Sequence, residues 1–272
     1  MREGVPARSL GHIHERSDHR ICLAVQQRLD DLARLRAKYI ERTDGGPRIP
    51  PAAIEASINL LGYFGQMVSE RRKSPGDRED LTTAVLNAEL EGERLEDSDV
   101  VSFLFLMSVA GNETTTKLLA NMLFWADRYR DQWARVQADA TLIPAWVEET
   151  LRFDNSTQVL FRTTTRETTL HGVTIPADRK VALLVGAANR DERVFREADR
   201  YLIDRDCRDS LAFGKGVHFC LGAALARLEG HICMDELFRV YRDFSIDHAG
   251  LQRVHSSNVR GFRRFPIHLQ RR

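Results

Sequence analysis

The segment that most constrains the fold is the stretch from Asp99 to about Asp127, which is apolar on nearly every face of a helix. Such a helix is expected to be buried all round rather than along one stripe. Ser98 is a plausible N-cap, although Val101 at the third helical position leaves no full capping box. In the middle of this segment lies Ala110-Gly111-Asn112-Glu113-Thr114-Thr115. A carboxylate beside two hydroxyls is expensive to bury without a purpose. Gly111 costs about 1 kcal/mol of helix propensity against Ala and leaves a groove open beside it. The plainer reading is that Glu113 reaches an exposed edge and Thr114 bonds back to a carbonyl one turn earlier.

Around that helix the pattern is helical for the first two-thirds of the chain. Apolar residues recur at helical spacing from Ile21 to Tyr39, and Thr43 to Pro51 then breaks the chain with paired Gly and paired Pro. Further helices are read at about 52–73, 81–90, 130–138 and 143–153. Short β-branched runs at 159–165, 168–171, 173–175 and 181–185, with a His171-Gly172 turn, read as a small sheet. A long irregular segment occupies 189–219, more than compact domains usually need between elements. Helix returns from Cys220 to about Tyr241, and loops and strands fill the last thirty residues.

With 272 residues, of which 43% are apolar, the chain can bury a sizeable core. A charged fraction of 29% excludes a disordered chain. The net charge of +1 gives no global field to recruit nucleic acid or an anionic membrane. Met1-Arg2-Glu3-Gly4 leads into no apolar core, and Val100 to Gly111 is too short to span a bilayer, which needs roughly 20 residues. The reading is a cytoplasmic chain with no membrane span. Cys22, Cys207, Cys220 and Cys233 fit neither a disulfide scaffold nor paired zinc ligands, so a functional cysteine would act alone.

Cys220 is the cysteine with a context. The irregular segment ends in Phe213-Gly214-Lys215-Gly216-Val217-His218-Phe219-Cys220-Leu221-Gly222 and opens into a helix. Two glycines in three residues let the backbone approach something closely. Amide N–H groups at a helix start stabilise thiolate. The thiol is then a metal ligand or a nucleophile, or else a buried small hydrophobe. The loop lacks the Lys-Ser/Thr ending of a phosphate-binding loop.

At these residues the sequence resembles the cytochrome P-450 haem-thiolate monooxygenases of soluble bacterial type. Phe-Gly-x-Gly-x-His-x-Cys-x-Gly is similar to their haem loop, and six such residues in ten arise by chance about once in several hundred thousand chains. The resemblance implies haem b with the Cys220 thiolate as axial iron ligand, favouring O–O cleavage. It implies Phe213 beside the haem, Gly214 in the loop, Gly222 letting the helix pass close, and His218 at a propionate. Loop amides would moderate the sulfur's basicity. The Gly-Asn-Glu-Thr-Thr segment is similar to the family's oxygen-binding helix, which implies that Glu113 and Thr114 relay protons to the reacting oxygen. Glu149-Thr150-Leu151-Arg152 looks like the family's Glu-x-x-Arg, with Arg200 of the following meander expected to complete the buried pair. Arg162 matches a propionate-binding arginine.

The same resemblance places Leu106, Val109, Ala110, Gln158 and Leu160 in the substrate pocket and implies an apolar small molecule, O2, and electrons from NAD(P)H through a ferredoxin and its reductase. That partner would dock on the face carrying Lys215, Arg208 and Arg227. The implied fold is the cytochrome P-450 fold, mainly α with small β-sheets. It runs as a single partial domain over 1–272, lacking roughly the N-terminal third. Its parts are a helical region at 18–153, a small β region at 154–188, meander and haem loop at 189–219, proximal helix at 220–241 and C-terminal strands at 242–272. Asp178 stands where a Gly is usual, Ala198 and Tyr201 replace Pro and Phe, and Ser210 replaces a common His. Two other readings stay open at this level: a catalytically silent remnant or incomplete gene product of the family, and a cysteine enzyme or sensor built on Cys220.

Overall fold

The computed structural model describes residues 51–74 and 80–272, apart from the side chain of Leu90. The expectations on Gly4-Val5-Pro6, on Cys22 and on a helix from Ile21 to Tyr39 lie outside the described residues. The described residues divide into two compact units. The boundary falls after Thr116, so the units are 51–116 and 117–272.

The first unit opens with α1 (Pro51–Lys73), which buries Ala53, Ala56, Leu60, Phe64 and Val68 at helical spacing. Pro51 is at home in a first turn, where its missing N–H costs nothing. α2 (Leu81–Asn87) is capped by Asp80, whose carboxylate accepts the Thr83 N–H at 2.9 Å. The helix ends short of the expected Leu90, because Glu89–Leu90 (β1) pairs with Glu93–Arg94 (β2). Glu91 and Gly92 form the connecting turn with φ of 53° and 88°, the left-handed pair that two-residue hairpins require. Leu60, Phe64, Val68, Val85, Leu86, Val100 and Leu104 form this unit's core, with Val109 packed against it.

Arg71 fixes that arrangement, donating to both Asp80 oxygens at 2.9 and 3.0 Å and to Thr83 Oγ1. The guanidinium holds the Asp80 carboxyl at about 2, down from 3.8. A depressed carboxyl stabilises the fold above its unfolded pKa and loses that contribution as pH falls through the folded one. After allowance for solvent screening the contribution is about 1 kcal/mol. Urea titrations are expected to show it present at pH 5, falling away between about pH 4 and 2, and missing from Asp80→Asn. An unchanged pH profile in that variant would contradict the assignment.

α3 (Asp97–Arg128) starts two residues before the expected Asp99. Glu96 rather than Ser98 takes the capping place, its carbonyl accepting from Asp99 and Val100. Asp97 and Asp99 in the first turn complement the helix dipole. The expectation of burial all round holds only for the later turns, where Leu118, Leu119, Ala120, Asn121, Met122 and Leu123 are all buried. In the earlier turns only Val100, Leu104 and Thr115 are buried, and Leu106 is 58% exposed. Those turns pack one stripe into the first unit's core and leave the other faces open.

The second unit contains α4 (Arg130–Ala138), α5 (Ile143–Phe153), the short α6 (Val185–Ala188) and α7 (Ala223–Val240). α5 is the most amphipathic of these in sequence, and α7 closes on it where Gly230 stands. A Cβ there would sit 3.1 Å from Val147 Cγ2, so a larger residue would push Val147 aside by a few tenths of an ångström. Trp133, Trp146, Phe238 and Phe244 fill the interior between α4, α5 and α7, with centroids 4.8–6.0 Å apart.

The expected sheet is instead a set of separate antiparallel pairs. Leu160–Thr163 (β3) pairs with Lys180–Leu183 (β6), and Thr168–Leu170 (β4) with Val173–Ile175 (β5). His171 and Gly172 make the β4–β5 turn, with φ of 49° and 80°. Asp178 adopts φ 57°, so the aspartate occupies the left-handed conformation that a glycine takes more readily. In the C-terminal part Tyr241–Ile246 (β7) pairs with Ile267–Arg271 (β10), and Gln252–Arg253 (β8) with Phe262–Arg264 (β9).

Candidate functional site

The second unit builds its site from a buried ion pair outwards. Glu149 and Arg152 lie one turn apart on α5 with both side chains fully buried, joined by two hydrogen bonds of 2.8 Å. Arg152 also donates to the carbonyls of Asn189 at 2.8 Å, Ala198 at 2.9 Å and Arg200 at 3.1 Å. Glu149 Oε1 accepts the Leu202 N–H at 2.8 Å. One forked cation and one carboxylate thereby gather the irregular 189–205 segment, which has no ladder of its own to hold it.

The arginine that completes the pair is Arg205, not Arg200. Arg205 Nε lies 3.4 Å from Glu149 with the side chain 8% exposed. Arg200 turns its side chain outwards onto Glu197 and only its carbonyl faces Arg152. Tyr201, where the family pattern has Phe, is fully buried and hydrogen-bonds Thr150 Oγ1 through its hydroxyl at 2.5 Å. Cys207 adds a thiol contact 3.6 Å from Glu149 Oε2 that sequence gave no signal for.

From this core the support passes to the loop. Asn189, fully buried, accepts the Leu211 N–H on its side-chain oxygen at 2.7 Å. Leu211 O then accepts Gly214 N–H, and Phe213 O accepts Cys220 N–H, each at 2.9 Å. Gly214 and Gly216 have φ of 72° and 70°, which an L side chain resists. A single 3₁₀ turn (Gly216–His218) follows, and Cys220 lies three residues before α7 with its carbonyl accepting Ala223 N–H at 3.2 Å. Gly222 runs beside the sulfur, since a Cβ there would lie 4.0 Å from Sγ. Arg227 stacks on the Phe213 ring at 4.6 Å and pairs with Glu148, tying the loop to α5.

Cys220 is the exposed one of the three described cysteines. Burial pushes the Cys207 thiol up to about 12, helped by the charge of Glu149, and burial alone pushes Cys233 up to about 12. Neither forms appreciable thiolate near neutral pH. Around Cys220 the surface is apolar: Val217 is 98% exposed, Leu221 75% and Phe219 52%. Among the described residues His218 makes no hydrogen bond to the Cys220 sulfur. Arg162, on β3 opposite Val181, is exposed and bonds only the Phe161 carbonyl, at 2.9 Å.

In the first unit the acid-alcohol pair sits on α3. Thr114 Oγ1 donates to Ala110 O at 2.8 Å, the plainer reading of that hydroxyl. Glu113 and Thr114 are half-buried, so the expected burial cost of the carboxylate is not incurred. A Cβ on Gly111 would meet nothing within 4 Å, which leaves open space beside both. Leu106 and Ala110 are exposed and Val109 is half-buried in this unit, whereas Gln158 and Leu160 are half-buried in the other. Two of the three cations expected to meet an electron donor are already paired, Arg208 with Asp206 and Arg227 with Glu148; Lys215 is exposed.

Fold and site define a helix-rich protein in which, among the described residues, one cysteine is exposed, on a two-glycine loop. The sequence profile described as Cytochrome P450 matches residues 53–254. The chain belongs to the cytochrome P450 family. It is 49% identical over 246 residues to a protein of Mycobacterium tuberculosis named as cytochrome P450 123, covering 89% of this chain and 61% of that protein. It is 36% identical over 202 residues to a steroid C26-monooxygenase of Mycolicibacterium smegmatis, covering 73% of this chain and 50% of that protein. The structure of cytochrome P450 CYP109Q5 from Chondromyces apiculatus matches with a TM-score of 0.82 at 33% identity, over 93% of this chain and 62% of that one. The chain thus spans between about half and three-fifths of the length of these relatives. The fold is the cytochrome P450 fold. Among the described residues no helix is long and apolar enough to cross a membrane.

Proposed function

We propose that the whole protein is a cytoplasmic haem-thiolate monooxygenase. It inserts one oxygen atom from O2 into an apolar small organic molecule, with electrons from NAD(P)H delivered by a ferredoxin and its reductase. The observation that carries this reading is Cys220, an exposed thiol on a rigid loop ringed by Val217, Phe219 and Leu221. Three large side chains left in water beside a thiol suit a flat apolar prosthetic group better than a small ion or a soluble substrate.

The residues fit haem b. Cys220 would ligate its iron, Phe213, Gly214 and Gly222 would line its proximal face, and Arg162 and His218 would take its propionates. When bound, that group supplies the activation of O2. Arg162 suits its task because its guanidinium is always charged and, apart from one backbone carbonyl, uncommitted. Glu149, Arg152 and Arg205 act at one remove, holding the meander that carries the loop.

Glu113 and Thr114 move protons. Thr114 Oγ1 gives its hydrogen to Ala110 O, and a hydroxyl that donates can also accept through its oxygen. Passing a proton onward requires that hydrogen to swing away from the helix carbonyl, with the Glu113 carboxyl as the reservoir. The apolar substrate class draws support from the name of the Mycolicibacterium relative and from Leu106, Val109 and Leu160. In the haem-loaded protein, with 18O2 and a ferredoxin system, label is expected in the product. Glu113→Gln is expected to lower product formed per NAD(P)H consumed by about a hundredfold, the lost electrons appearing as hydrogen peroxide. Full coupling in Glu113→Gln, or product without label, would overturn the assignment.

A further inference from the structure

Asn189 joins three parts of the second unit. It stands at the end of α6, where its N–H donates to Val185 O at 3.0 Å. Its carbonyl accepts from Arg152 Nη1 at 2.8 Å, so its backbone belongs to the Glu149–Arg152 core. Its side-chain oxygen accepts the Leu211 N–H at 2.7 Å, and Leu211 leads into the loop of Cys220. The backbone is thus held on both sides while the side chain reaches across to the loop.

A carboxamide is an expensive group to keep there. Asn189 is fully buried. Leu211 presents a donor, so the atom facing it is oxygen, and Nδ2 is left buried with no hydrogen-bond partner among the described residues. A buried donor left unmade destabilises a fold, whereas an apolar side chain of similar size carries no such cost. What the side chain supplies is an acceptor for Leu211.

From Leu211 onwards the fixing runs through the backbone. Leu211 O accepts Gly214 N–H and Phe213 O accepts Cys220 N–H, each at 2.9 Å. The start of this stretch is held by the same ion pair. Cys207 touches Glu149 Oε2 at 3.6 Å, and its carbonyl accepts Ser210 N–H at 2.9 Å. The approach to the loop is therefore tied to the core at both ends, and Asn189 makes the tie nearer to Cys220.

We propose that Asn189 is a positioning residue for Cys220, its side-chain oxygen carrying the geometry of the Glu149–Arg152 pair into the thiol loop. The inference rests on the proposed function for what the thiol holds, while the bonds that carry it exist without haem. Because Nδ2 makes no bond, the role needs only the oxygen, and aspartate is expected to fill it. The added charge is expected to be tolerated, since the Arg152 guanidinium bonds the same residue.

Amide hydrogen exchange, followed residue by residue in the full 272-residue chain without haem, reads the loop and the core separately. In Asn189→Leu the Leu211 and Cys220 amides are expected to exchange at least about tenfold faster. Leu202 N–H, held by Glu149 Oε1 at 2.8 Å, is expected to keep its rate. With haem supplied, the reduced protein under carbon monoxide gives a second readout. The ratio of red-shifted to unshifted Soret band is expected to fall at least about tenfold in Asn189→Leu. Asn189→Asp is expected to restore both readouts. If Asn189→Leu does not fold, Asn189→Ser replaces it, because its hydroxyl is too short to reach Leu211.

Unchanged exchange at Leu211 or Cys220 would overturn the inference. Equal acceleration at Leu202 in a folded variant would do so too, since Asn189 would then support the whole unit rather than the loop. Failure of Asn189→Asp to restore the readouts would also overturn it. If the parent chain gives no red-shifted band, the proposed function falls and exchange at Cys220 alone decides this inference. A red-shifted band whose ratio is the same in Asn189→Leu would overturn this inference and leave the proposed function standing.

Discussion

Arg152→Leu is expected to destabilise the second unit by about 3–5 kcal/mol, because it leaves the fully buried Glu149 carboxylate without its forked partner. Domains of this kind have about 5–15 kcal/mol in total, so the variant is expected to be largely unfolded or aggregated at 37 °C. The loss is larger than that of an ordinary ion pair, since Arg152 also satisfies the carbonyls of Asn189, Ala198 and Arg200. Each of those is left with one bond fewer in a segment that forms no helix or strand to replace it. Arg205→Leu is expected to cost about 2–3 kcal/mol, through the Glu149 contact and the carbonyls of Glu197 and Arg200. Arg200→Leu is expected to leave the denaturation midpoint unchanged, because that side chain meets only Glu197 at the surface. Urea denaturation followed by tryptophan fluorescence separates the three. A large loss in Arg200→Leu with none in Arg205→Leu would reverse the assignment of the third charge.

Cysteine reactivity is the second large effect. At pH 8 a thiol held at about 12 is ionised to about one part in ten thousand, so Cys207 and Cys233 are expected to resist iodoacetamide. Cys220 is exposed on its loop and is expected to alkylate at least a thousandfold faster. Peptide mapping by mass spectrometry gives the three rates separately. Haem is expected to protect Cys220 and leave the slow pair unchanged. Comparable labelling of Cys220 and Cys233 in the native protein would mean that the thiol is not presented as described.

Much of the fold was legible because it is local. Helices read at 52–73, 130–138 and 143–153 stand at Pro51–Lys73, Arg130–Ala138 and Ile143–Phe153, since apolar spacing and Pro/Gly punctuation act within a few residues. The Cys220 loop was legible for the same reason: its glycines sit where φ is positive. What failed was settled at a distance. Arg200 and Arg205 are alike in sequence, yet the fold turns Arg200 onto Glu197 and brings Arg205 to Glu149, more than fifty positions earlier. The first turns of α3 are as apolar as the later ones, yet whether Leu106 is covered depends on its neighbours, and it stands exposed. The proximal helix was read from Cys220, but the loop keeps its own bonds until Ala223.

The most direct test of the central claim is the carbon-monoxide difference spectrum of the 272-residue protein, supplied with haem and reduced with dithionite. The account predicts the red-shifted Soret band of a cysteinate-ligated ferrous complex, at one haem per chain. It also predicts loss of that band in Cys220→Ala and its retention in Cys207→Ala. An unshifted band, or a red-shifted one that survives Cys220→Ala, would contradict it.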